Sequence, residues 1–100
     1  MRIQFEQTGG IMGRKVSLDL NTSDLPAEEV ETLRSALDDA NFFGLSEDLA
    51  TRLVPDELQY LITVETKTVV HKVRTSDTSA PPALQTLIQY LSQKARSRHS

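Results

Sequence analysis

Four short runs in this sequence alternate apolar and polar residues, and they come as two pairs, each closed by a short turn. Alternation at period two puts one face of a strand in a core and the other in water. In the first pair, Ile3 and Phe5 alternate with Arg2, Gln4 and Glu6. After the stretch TGGIMGR, Val16, Leu18 and Leu20 alternate with Lys15, Ser17 and Asp19. In the second pair, Tyr60, Ile62 and Val64 share a face of QYLITVET. Val69, His71 and Val73 share a face of TVVHKVRT, and Lys67 lies in the turn between the two runs. Two alternating runs about a short loop read as a β-hairpin. The pattern predicts strands over 2–7, 14–21, 58–66 and 68–75.

Two other segments carry the helical period. AEEVETLRSALDDA places Val30, Leu33, Leu37 and Ala40 three or four residues apart, which is one apolar stripe. Ser23 and Asp24 are candidate N-caps, Pro26 suits the first turn, and Asn41 is placed to end the helix. Phe42, Phe43 and Leu45 are expected to pack under that end. ALQTLIQYLSQKAR offers Leu84, Leu87, Ile88 and Leu91, with Pro81 or Pro82 opening the helix and basic residues near its negative pole. The spacing predicts helices over 26–40 and 81–96. Between the two halves, SEDLATRLVPDELQ has no clean period, and Pro55 excludes a long helix. The order is ββαββα, an α+β fold with a four-stranded antiparallel sheet and two helices on one face. Ile3, Phe5, Leu18, Leu33, Leu37, Ile62, Val64, Val73, Leu87 and Leu91 are the expected core.

With 100 residues the chain reads as a single domain over 1–100, its tail fraying from about 97. The net charge of −3, basic residues scattered until Lys94, Arg96 and Arg98, and few aromatics argue against nucleic acid as a partner. There is no cysteine, hence no disulfide and no thiolate metal site. No apolar run approaches the roughly twenty residues of a membrane span. The first residues lack the pattern of a signal peptide, so the chain reads as cytoplasmic, with export by a non-classical route left open.

Catalysis needs a constellation of groups, and none is legible. His71 and His99 are the only histidines. His99 is in the tail, and His71 lies on an apolar face, where a histidine bonded to a neighbour is expected. Glu65 and Asp77, the carboxylates near His71, do not make a metal-ligand spacing. GGIMG precedes a strand rather than a helix and is no phosphate loop. The chain therefore reads as no enzyme, with no catalytic residue, metal site or cofactor.

Binding remains. Three of the four glycines fall in TGGIMGR, with Ile11 and Met12 between them. The loop can fold back so that one of the two joins the core. Alternatively, it displays an apolar anchor on a thin backbone that enters a concave site. The outward pair Leu61 and Val70 is a second candidate surface.

These elements combine into a resemblance. FEQTGGIMG, DLP before the acidic helix, DDANFFGL after it, PDELQYLITVE, and HKVRTSDTSAPPALQTLIQYL together resemble the emfourin family of protealysin inhibitors. The resemblance implies an inhibitor of thermolysin-like zinc metallopeptidases, a monomer when free. Gly9, Gly10, Ile11, Met12 and Gly13 then become the expected protease-binding loop. The alternative is a non-inhibitory or homodimerising module in which Ile11 and Met12 pack against a partner chain.

Overall fold

A computed structural model of the protein describes residues 1–9, 15–49, 58–77 and 79–98, without the side chains of 97 and 98. Its strands are β1 (Arg2–Gly9), β2 (Val16–Asn21), β3 (Leu58–Glu65) and β4 (Val70–Ser76). Its α-helices are α1 (Ala27–Asp39) and α2 (Pro82–Arg98). The strands form one sheet in the order β2-β1-β3-β4, antiparallel throughout. The α+β architecture and the ββαββα order are those the two periods predict.

Register follows from burial. Ile3 pairs with Leu20 on one side and Val64 on the other, Phe5 with Leu18 and Ile62, and Ile62 with Val73. A slip by one residue would turn each of these side chains toward water. Leu33 and Leu37 of α1, with Leu84, Leu87 and Leu91 of α2, close over that face, and all ten expected core residues are buried. Glu29 joins the two helices. Its Oε1 accepts from the Tyr90 hydroxyl at 3.3 Å and pairs with Lys94. The outer face is polar, and the exposed Arg2 there donates to both carboxylate oxygens of Asp19, at 3.0 and 2.6 Å.

Some local expectations are corrected. Ser23 and Asp24 do not cap α1. Pro26 takes the N-cap position with no side-chain bond, while Ser23 and Asp24 sit in a separate 3₁₀ turn, Thr22–Asp24, capped by Asn21. Asn41 does end α1, in the left-handed region at φ 49°, as an asparagine can. The next turn, Phe42–Gly44, buries Phe42 and leaves Phe43 44% exposed, because consecutive residues of a tight turn point different ways. Val69 lies before β4 and is also exposed. His71 Nε2 donates to the Leu45 carbonyl at 2.8 Å, and its ring meets the Phe42 ring edge-on. Leu49 N and Arg74 O (2.7 Å), with Arg74 N and Glu47 O (2.8 Å), then run the 47–49 segment along the outer edge of β4. That covers part of an edge that would otherwise present unpaired backbone groups.

Candidate functional site

Of the five residues expected to touch a protease, Gly9 is described. Gly10, Ile11, Met12 and Gly13 lie outside the described residues. β1 leads into this stretch and β2 follows it. The last β1–β2 pair is Gln7 with Val16, whereas β1 continues along β3 through Thr8–Gln59 and Gly9–Leu58. Among the described residues, the pairing of the entering stem with β3 thus runs two residues beyond its pairing with β2. Lys15 Nζ stands 3.4 Å from Glu6 Oε1 across the stems, and Gln7 Oε1 accepts from Ser92 Oγ of α2 at 3.2 Å. Gly9 has φ 91°, a conformation that a residue with a Cβ resists. The last residue of β1 is thus held in a glycine conformation while still paired with β3.

Gly9, Leu58 and Asp77 stand in one row across the end of the sheet. Gly9 pairs with Leu58, and Leu58 O accepts from Asp77 N at 3.2 Å. The loop 10–14, the connection 50–57 and the turn after β4 all depart from this end. The 66–69 turn, closed by Thr66 N donating to Val69 O at 2.8 Å, is at the other end. Tyr60 is buried against Phe5, ring centroids 6.0 Å apart, and its hydroxyl donates to Asp77 Oδ1 at 2.6 Å. Ser79 Oγ bonds the Ser76 amide at 2.9 Å and the Ser76 hydroxyl at 2.6 Å. This polar clasp was not read from the sequence. Its signal was the run SDTSAPP, whose residues hydrogen-bond locally in turns.

The second candidate surface does not form a patch. Leu61 is half-buried beside Arg74, while Val70 pairs with Glu65, so the two apolar groups sit four positions apart along the sheet. Four positions are about 13 Å. Among the described residues no three His, Cys, Asp or Glu side chains stand together as metal ligands. No helix among them is long and apolar enough to cross a membrane. Asp19 raises the pKa of Arg2, first through their hydrogen bond. Burial raises the Tyr90 phenol, and the Glu29 charge adds to it.

The family model for emfourin matches residues 5–92. The chain belongs to the emfourin family. The match takes in β1 from Phe5 onward, β2, β3, β4, α1 and most of α2. Among curated proteins and among solved structures, nothing matches the chain. Emfourins are protease inhibitors, so membership makes metalloprotease inhibition the implied activity and a metallopeptidase the implied partner.

Proposed function

We propose that this emfourin inhibits a thermolysin-like, protealysin-like zinc metallopeptidase by inserting its glycine-rich hairpin loop into the substrate cleft. The observation that supports this most is the position of Gly9. At φ 91° it is the last residue of a strand that β3 still holds, directly before Gly10, Ile11, Met12 and Gly13 in the sequence. A substrate cleft takes an extended, narrow segment, and such a peptidase favours a bulky apolar side chain just after the scissile bond. Ile11 or Met12 supplies that side chain, and the glycines keep the backbone thin. Stems fixed by β2, β3 and α2 reduce the ordering that binding must impose on the loop.

The peptidase's zinc keeps an open position for water or a substrate carbonyl. The inhibitor acts by occupying the cleft in front of that position as a single-domain monomer. Titration of a thermolysin-like peptidase with the chain should abolish peptide hydrolysis at a one-to-one ratio, and the mixture should elute as a complex on size exclusion. Full activity at excess chain, with the chain eluting as a dimer, would favour the homodimerising alternative.

A further inference from the structure

The Tyr60–Asp77–Ser79 clasp shares the end of the sheet with Gly9, the residue that leads into 10–14. A specific interface takes about 800 Å² and some 20–30 residues from each partner. The segment 10–14 cannot supply that alone, so a partner that receives it must also cover its neighbours. A round patch of that area has a radius of about 16 Å. Asp77 is two strand spacings from Gly9 along the row Gly9–Leu58–Asp77, or about 10 Å. It lies within a footprint of that radius centred on Gly9, the residue that leads into the segment.

Asp77 is exposed, yet its carboxylate is fixed. The Tyr60 hydroxyl holds Oδ1 at 2.6 Å, and the described residues give Oδ2 no partner. Tyr60 itself is only 7% exposed and stacked on Phe5, so the hydroxyl that holds the carboxylate has little freedom. The main chain is pinned on both sides, by Asp77 N to Leu58 O and by Ser79 N to Ser76 O at 3.2 Å each. A surface carboxylate normally gives up side-chain entropy when it is engaged. Here much of that ordering is already present in the free protein.

We propose that Asp77, aimed by Tyr60, is a second contact of this inhibitor with its metallopeptidase and receives an arginine or lysine side chain on the rim of the cleft. The inference rests on the inhibitory reading above and extends it from one loop to a two-point contact. Asp77 is the contacting residue, and Tyr60 is a positioning residue acting through it. The pairing is charge-assisted, so it weakens with salt.

The test compares the parent chain with Asp77→Asn, Tyr60→Phe and the double variant, as inhibition constants against a thermolysin-like peptidase at ~0.05 and ~0.5 M salt. Thermal midpoints are measured alongside. Asparagine can still accept from the tyrosine hydroxyl, so Asp77→Asn should fold as the parent does. It should inhibit about tenfold more weakly or worse at low salt, with a smaller difference at high salt. Tyr60→Phe should lose less, about threefold, and should add no loss of inhibition in the Asp77→Asn background. If Asp77→Asn inhibits as tightly as the parent, the inference is overturned while the proposed function stands. It is equally overturned if the loss is independent of salt and tracks a lowered thermal midpoint, or if Tyr60→Phe weakens the Asp77→Asn chain by its full factor. A parent chain that inhibits no thermolysin-like peptidase overturns the proposed function and this inference with it.

Discussion

Gly9 offers a test of how the loop is launched. A left-handed backbone costs an L-residue roughly 1–2 kcal/mol, because Cβ crowds the following carbonyl oxygen. The φ of 91° at Gly9 places it on that side, and its pairing with Leu58 fixes the residue there. Gly9→Ala should therefore either carry that strain or release it by giving up the Gly9–Leu58 pair. For a chain of this length, about 1 kcal/mol lowers the thermal midpoint by roughly 4–8 °C. A fall of about 4–16 °C follows, together with weaker protease inhibition as the entering stem shifts. A D-alanine at the same position, introduced by chemical synthesis, separates the causes. It adds the same Cβ but prefers positive φ. It should match the parent or gain about 0.4–1 kcal/mol through a less flexible unfolded chain. Thermal and urea denaturation with an inhibition titration measure both effects. If the L-alanine chain is as stable as the parent and as good an inhibitor, or if both enantiomers lose stability equally, the conformational argument is refuted.

Leu87→Ala empties a site that is wholly buried under the sheet. It should cost about 2–5 kcal/mol by urea denaturation, and an unchanged midpoint would show that the face of α2 is misassigned. The Tyr90 phenol is raised in the folded protein, chiefly by burial. Its stabilising contribution is therefore complete below the ordinary phenol value of about 10 and is lost as pH rises through the folded value. The parent should lose more stability between about pH 9 and 11 than Tyr90→Phe does, as thermal midpoints taken across that range would record. Glu31→Ala, on the exposed side of α1, should leave inhibition unchanged. Gly10→Val should weaken it by thickening the loop.

Much of the sheet was legible because its side chains obey one rule. Ile3, Phe5, Leu18, Ile62, Val64 and Val73 alternate in sequence and meet across strands in space. The strand order was not legible, since a hairpin pattern fixes its own pairing but not which strand sits beside another. Only the structure puts β1 between β2 and β3. Phe42 and Phe43 look alike in sequence, and the geometry of a 3₁₀ turn decides that one is buried. The Tyr60–Asp77 bond joins β3 to the turn after β4 across 17 residues, beyond the reach of any local pattern. At the candidate site the glycine spacing marked the loop, but the positive φ at Gly9 and the neighbouring clasp depend on how the strands end.

The central claim is that Ile11 and Met12 are the part of the molecule that enters the protease. The most direct measurement is the inhibition constant of the Ile11/Met12 double variant, both changed to Gly and, separately, both to Asp, against a thermolysin-like peptidase. Circular dichroism confirms that each chain is folded. Loss of a buried apolar anchor costs about 2 kcal/mol or more, so inhibition should weaken at least roughly thirtyfold. The Asp form should be the worse of the two, because its charges would lose hydration in an apolar pocket. A folded double variant that inhibits as tightly as the parent would contradict the claim.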